Sequence, residues 1–599
     1  MRAWLLGLSL AAAVAAPAAP LPPGYAGLDY TPPAAGSYRL PPLGQAADGP
    51  VLDEQGRPAT LHQVFGGQAV LLGFIYTHCS DANGCPLATH VLMQVHRRAQ
   101  RDPALRGRLR LVSLSFDPER DTPAVMRAYR QALLGQQGAD DWRFLTTADE
   151  ATLAPLLRAY GQYVQRDPGD GEDISHTLRV YLIDPQARIR NIYSAAFLDA
   201  DLLLNDLRTV LAREDGDEAA PVPDTPPIDL LAHARHPPPG LPPVPEPADN
   251  PLTAEKIALG RRLFFDRRLS LNGTLSCAMC HVPAQGFTSH ELKTAVGIEG
   301  RSVRRNTPTV LNSAYLTRVF HDGRDDSLEQ QVWGPLLARN EMGMPSVGTV
   351  LRRLRALPGY PAAFRRAFPE RGLTMETLGM ALASYQRTLI AGDSPFDRWY
   401  YGHDEQALDP AARRGFRLFT GKAGCSACHT IGQDHALFTD DSLRNTGIGY
   451  RAAMGGAAKT RVQLAPGVFT EVDAATLARV GEPPPADLGY YEITQDPADR
   501  WKYKVPGLRN VALTAPYMHD GSLATLAEVV AFYNAGGVPN ENLDPLIHPL
   551  GLSQAEQADL VAFLEALTSP QVAALVRDAE AAPVGDFGVA GPRAVTAAR

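Results

Sequence analysis

The chain has 599 residues, a net charge of −8 and 7% aromatic residues, which is room for about four domains of ordinary size. No long basic run is present, so the composition does not point to a nucleic-acid partner. The six cysteines form three close pairs, Cys79/Cys85, Cys277/Cys280 and Cys425/Cys428, which excludes a disulfide scaffold and points to three cofactor or redox sites.

The first residues, MRAWLLGLSLAAAVAAPAAP, place a positive charge before a short apolar run and then small residues. This is the pattern of a secretory signal peptide over 1–19, too short to remain as a membrane span. No later stretch is apolar for long enough to span a membrane. An exported, soluble protein of the periplasm is expected.

Residues 40–213 alternate strand and helix signals. AVLLGFIY, LRLVSLSF and LRVYLID are apolar strand runs, and PLATHVLMQVHRRAQ and TPAVMRAYRQALL have helical spacing. The pattern predicts a βαβ-type α/β domain. A stretch with 12 prolines at 221–251 predicts an extended linker over 214–251.

The region from 252 to 570 is helical and internally repeated. CAMCH at 277–281 recurs as CSACH at 425–429, and the HDG segment at 321–323 recurs at 519–521. Two mainly α domains in tandem are expected, over 252–402 and 403–570, followed by an Ala-rich tail at 571–599.

CxxCH is the attachment signature of c-type haem. Two thiols on one helical turn reach the two vinyl groups of a porphyrin, and the adjacent histidine ligates the iron. Zinc would need further ligands, and a plain redox pair would not need the same histidine twice. Two covalent haems are therefore expected, on Cys277, Cys280 and His281 and on Cys425, Cys428 and His429.

The repeat also separates the two haems. Aligning His321 with His519 without gaps sets Leu328 against Leu526, Gln331 against Val529 and Pro335 against Tyr533. A phenol oxygen can bind ferric iron and proline cannot. If the apolar helix that follows HDG overlies the iron, the second haem is closed and the first is open. The first copy also carries Gln331 and Glu341, and a carboxylate over an open haem can take and return a peroxide proton. His290, Met454 and Met518 are further candidates for sixth ligands. Within the second helix, Asp520 and Ser522 stand where an N-cap is expected.

The segments CAMCHVPAQGFT, RRNTPTVLNSAY, FHDGR, EQQVWGPLLARNEM, CSACHTIG and KVPGLRNVALTAPYMHDGSLATLAEVVAFYNAGG resemble the bacterial di-haem cytochrome c peroxidase and MauG family over about 320 residues. The resemblance implies a peroxidatic haem at His281 with distal Gln331, Pro335 and Glu341, Glu341 being the acid/base. It implies an electron-transfer haem at His429, with Tyr533 as its MauG-like sixth ligand. It also implies a calcium ion held by Asn306, Thr514 and Pro516. At the position of His321 the family usually has a tryptophan that passes electrons between the haems.

GFIYTHCSDANGCPLATHVL, SFDPERDTP and DISHTLRVYLID resemble the Sco/SenC family of copper chaperones and thiol reductases. The resemblance implies a thioredoxin-like fold with copper on Cys79, Cys85 and His176, a soft ligand set. The family spaces its cysteines Cys-x3-Cys. Here five residues intervene, so a loop has to bring the sulfurs together, and a redox or structural disulfide stands beside copper.

The whole chain is thus expected to be multidomain: a Sco-like domain, a linker and a di-haem peroxidase. Hydrogen peroxide would be the oxidant and a small cytochrome c or copper protein the electron donor. The alternatives are a MauG-like oxidase acting on a protein side chain, or a non-enzymatic copper and electron relay.

Overall fold

The computed structural model describes residues 34–582 except 37–39, 41, 80–84, 136–140, 163, 167–173, 177, 195–197, 213–227, 291–292, 299–300, 455–458, 466–467 and 474–485. The expected signal peptide lies outside the described residues. Among them, no helix is long and apolar enough to cross a membrane.

The N-terminal unit is built on one six-stranded mixed sheet: β1 (Gly44–Gln45), β2 (Ala69–Ile75), β3 (Leu109–Ser115), β4 (Trp142–Leu145), β5 (Arg179–Ile183) and β6 (Arg188–Ser194), in the spatial order β1-β6-β5-β2-β3-β4. β2, β3 and β4 run parallel, β5 runs antiparallel to them, and β6 turns back antiparallel to β5. All seven residues of β2 are buried, so the strand reads as an unbroken apolar run rather than an alternation. Helices Cys85–Ala99 and Ala200–Ala212 pack together beside the sheet. In the register, Gly73 of β2 faces Val180 at the start of β5, and Arg179 faces Ser194 at the end of β6. The chain leaves β2 towards Cys79 and enters β5 from His176 at this same end of the sheet.

The rest of the chain is helical and shows its repeat in three dimensions. Helix Ala254–Phe265 packs on Met375–Gln386, and helix Pro410–Thr420 packs on Gln554–Glu565. Gly260 and Gly415 make these crossings possible, since a Cβ there would overlap the carbonyl of Ala381 or of Asp559. Each helix leads into its CxxCH turn.

Two expected boundaries are corrected. Of the linker at 214–251, residues 228–251 belong to the helical body. Helix Leu230–Arg235 buries Leu230 and Ala234 in the first haem unit's core, and Asn250 donates to Glu329 Oε1 at 2.8 Å. The prolines stiffen this strap, but its leucines give it a surface to bury. Of the tail at 571–599, Val572–Glu580 is a helix whose Val572, Leu575 and Ala579 pack into that same core. The alanines read as low complexity, yet the periodic Val and Leu make one apolar face.

Candidate haem and thiol sites

A cavity of about 360 Å³ opens in the second repeat, lined by Cys425, Cys428, His429, Leu526, Val530 and Tyr533. Its size and apolar walls suit a bound cofactor. His429 Nδ1 lies 2.8 Å from the Phe438 carbonyl. A carbonyl only accepts, so Nδ1 carries the proton and Nε2 keeps its lone pair for a metal. Burial also holds the His429 imidazole in its neutral form.

His281 repeats the arrangement in the first unit, with Nδ1 3.3 Å from the Phe287 carbonyl and a pKa pushed down to about 4 by burial. Both phenylalanines have left-handed backbones, φ 56° at Phe287 and 53° at Phe438. Such a conformation costs a bulky residue about 1–3 kcal/mol, and here it aims a carbonyl at the histidine of each CxxCH. The next residue anchors each turn: Thr288 Oγ1 donates to Thr307 O, and Thr439 Oγ1 donates to Val505 O at 2.7 Å. The doublet Phe-Thr after each CxxCH was the signal for these orienting residues, and sequence reasoning passed over it.

Helix Leu526–Asn534 brings Tyr533 to the second cavity. Its N-cap is Thr525, paired with Glu528 in a capping box, and not Asp520 or Ser522. Those two lie in the turn before it, where Asp520 Oδ1 accepts from Ser522 N. Tyr533 is surrounded by protein, yet it keeps accessible surface because that surface faces the cavity. No described residue hydrogen-bonds its hydroxyl. Burial raises its pKa, and the nearby Cys425 and Cys428 sulfurs add to the shift.

In the first unit the equivalent helix starts in the same way, with Ser327 capping Leu328, but breaks at Val332 into Leu328–Gln331 and Trp333–Leu337. Gln331 ends the first piece and Pro335 lies in the second. Glu341 follows. Burial pushes its carboxyl above the usual glutamate range, against an opposing pull from Arg324. The Cys277 thiol, pushed up to about 12 chiefly by burial, also feels the Glu341 charge. Glu341 thus lies within electrostatic range of the first attachment site.

Asn306, Thr514 and Pro516, the three residues expected to hold calcium, all line the second cavity. His321 lines it too, with Nε2 2.9 Å from the Asn306 carbonyl. Asn306 N in turn donates to His519 O at 2.7 Å, so the two HDG turns meet across one residue. Burial pushes the pKa of His321 down to about 3 and that of His519 to about 4. His290 is committed elsewhere, with Nε2 2.7 Å from the Leu513 carbonyl. Met454 is 63% exposed, whereas Met518 lines the cavity.

In the N-terminal unit Cys85 opens helix Cys85–Ala99 and is buried, and Cys79 is half-buried. The Cys79 sulfur lies within hydrogen-bonding reach of Cys85 and, together with burial, raises the Cys85 pKa. The two sulfurs therefore lie side by side despite the longer spacing. The backbone of His176 ends the strand Ile174–His176, and its side chain lies outside the described set. Below the thiols, buried Asp121 accepts from Thr77 Oγ1 at 2.5 Å and from Ser115 Oγ at 2.6 Å. Asp121 is the last acid of SFDPERDTP. It pins the residue two before Cys79, a role the sequence alone did not reveal.

The donor chemistry fits two c-type haems: paired thiols, a neutral histidine oriented through Nδ1 beside each pair, and an apolar cavity at the second. The family model for di-haem cytochrome c peroxidase matches residues 254–405, and that for SCO1/SenC matches 50–212. The methylamine utilization protein MauG of Methylorubrum extorquens is 43% identical over 331 residues, 55% of this chain and 83% of that protein. The chain belongs to the di-haem cytochrome c peroxidase and MauG family. A cytochrome-c peroxidase of Denitromonas iodatirespirans is 40% identical over 59% of this chain and 92% of its own length. Among solved structures, a MauG-like protein associated with microbial copper homeostasis is 32% identical, covering 56% of this chain and 95% of that one with a TM-score of 0.47. The family consists of oxidoreductases with two c-type haems, and this member carries a SCO1/SenC unit ahead of them.

Proposed function

We propose that this protein is an exported, periplasmic di-haem peroxidase that reduces hydrogen peroxide at the His281 site and takes electrons in through the His429 site. The observation that carries the assignment is the contrast between the two repeats. One presents an unpartnered phenol to its haem cavity, and the other presents proline at that position and a half-buried glutamate nearby. Bound haem supplies the redox chemistry. Glu341 takes a proton from peroxide and returns it to the departing oxygen, helped by a pKa raised towards neutrality. Gln331 and Pro335 shape the open side. Tyr533 closes the other site, and Asn306, Thr514 and Pro516 hold calcium at the junction. Cys79, Cys85 and His176 form the copper or dithiol site of the N-terminal unit. A small cytochrome c or copper protein is the donor.

A second reading, oxidation of a protein side chain, is favoured by Tyr533 and by the identity with MauG. Electron paramagnetic resonance of the ferric holoprotein tests the shared core of both readings. One high-spin and one low-spin haem are expected. Two low-spin haems that do not respond to peroxide would leave only a copper and electron relay.

A further inference from the structure

At the meeting point of the two repeats lies an aromatic group that the haem sites do not account for. Tyr503 is 8% exposed and lines the second cavity. Its ring stacks on His519 with centroids 3.5 Å apart and planes 13° from parallel. Its neighbour Lys504 donates its N–H to the His321 carbonyl at 2.7 Å, so Tyr503 adjoins both HDG turns. Outward from it lies Gly449, where a Cβ would stand 2.9 Å from the Tyr503 ring and 3.2 Å from Trp501 Cβ. Trp501 is 5% exposed, and its Nε1 has no hydrogen-bond partner among the described residues. Trp501 meets Tyr450 edge-on, with centroids 5.0 Å apart at 85°. Tyr450 belongs to helix Ile448–Met454, whose Arg451, Ala452 and Met454 are exposed.

The geometry points to Tyr503, Trp501 and Tyr450 as a chain of oxidisable side chains that carries single electrons from the surface helix Ile448–Met454 to the second haem site. Phenols and indoles give up an electron far more readily than a neutral imidazole, so His321 and His519 are poor carriers, whereas Tyr503 is a good one. The Tyr503 hydroxyl donates to the Asp487 carbonyl at 3.2 Å. The carboxylate of the same residue is fixed by Arg305 through bonds of 2.7 and 2.8 Å. An oxidised phenol is a strong acid. When Tyr503 loses one electron to the haem site its proton passes to the Asp487 carboxylate, which is also a hydrogen-bond partner of the hydroxyl, and both are regained when Trp501 supplies the next electron. Tyr450 refills Trp501, and a reduced small electron-carrier protein on the surface helix refills Tyr450. Two such transfers and two protons turn one hydrogen peroxide into two waters. The oxidant is taken from the peroxidase reading above.

The test treats the holoenzyme with peroxide and a nitroso spin trap, without reductant, and locates adducts by peptide mass spectrometry. Adducts at Tyr503, Trp501 and Tyr450 are expected. Trp501→Phe should lose the Tyr450 adduct and keep the one at Tyr503. If the haem spectrum responds to peroxide but the adducts fall elsewhere, or the Tyr450 adduct survives Trp501→Phe unchanged, the chain is not the route. If the haem spectrum does not respond, the peroxidase reading fails, and flash-quench photo-oxidation of the holoenzyme decides the relay. A tyrosyl signal that Tyr503→Phe abolishes supports it, and no such signal in the wild type overturns it.

Discussion

Arg267, ten residues before the first haem-attaching cysteine, donates through Nη1 to Asn191 Oδ1 on β6 at 2.5 Å. Its Nη2 donates to the Ile192 carbonyl at 3.0 Å, and Nε to Thr274 O at 3.2 Å. β1 covers β6 only at Ile189 and Arg188, so beyond them the strand has an open edge. The haem unit fills that edge with a guanidinium, whose pKa burial pushes down to about 10. Behind it, Asn191 Nδ2 and the Tyr193 hydroxyl both donate to Asp206 Oδ2, at 2.8 and 2.6 Å. Arg267→Met should therefore loosen the docking by about 1.5–3 kcal/mol, the worth of hydrogen bonds to a charged group. Amide hydrogen exchange should accelerate at 191–194 and not at β3. Unchanged protection there would mean that the units are held by other contacts.

Glu341→Gln should slow the reaction with peroxide by about 10²-fold or more, since general acid–base catalysis contributes on that scale. In the native protein the rate should rise with pH through a pKa above that of an ordinary glutamate, because proton capture needs the ionised form and burial disfavours it. Stopped-flow rates across pH should show this rise, and the variant should be flat.

Tyr533→Phe should change the ligand field of the second haem alone, because no described residue holds the hydroxyl in another bond. Burial favours the protonated phenol, so coordination has to displace that proton. Ferric spectra that match the wild type would reduce Tyr533 to a packing residue.

His321 and His519 stay neutral in the fold, with pKa values of about 3 and 4. The unfolded chain binds those protons near pH 6.5, so in this window it holds more protons than the folded one. Stability should fall as pH drops from about 6.5 towards 4. Denaturation curves at pH 7 and pH 5 should show the loss. It should shrink in His321→Gln, whose amide can still donate to the Asn306 carbonyl.

In the N-terminal unit, Cys79 should alkylate before Cys85. Cys85 is buried and its thiolate is disfavoured beside the Cys79 sulfur. Mass spectrometry after brief treatment with iodoacetamide at neutral pH checks the order.

Much of this molecule is legible in its sequence where chemistry or burial leaves a local mark. β2, β3 and β5 show as apolar runs because they are largely buried, and CxxCH carries its chemistry in five residues. The contrast of Pro335 with Tyr533 comes from comparing the chain with itself. What stays hidden depends on contacts between distant segments. The left-handed Phe287 and Phe438, the stack of Tyr503 on His519 and the lock of Arg267 on Asn191 each need a partner that no local pattern announces. The strap at 228–251 and the helix Val572–Glu580 are obscured by composition, since proline and alanine content masks a few leucines and valines that pack.

The closing helix Val572–Glu580 also fixes an order of assembly. It lies against the Pro283–Gln285 turn just after the first CxxCH, and Asp578 pairs with Arg261 at 3.0 Å. A chain made from its N-terminus exposes both attachment motifs long before this helix exists. The first haem unit can only be sealed once this downstream helix has emerged, so its motif remains open to the attachment machinery while the second unit is being made.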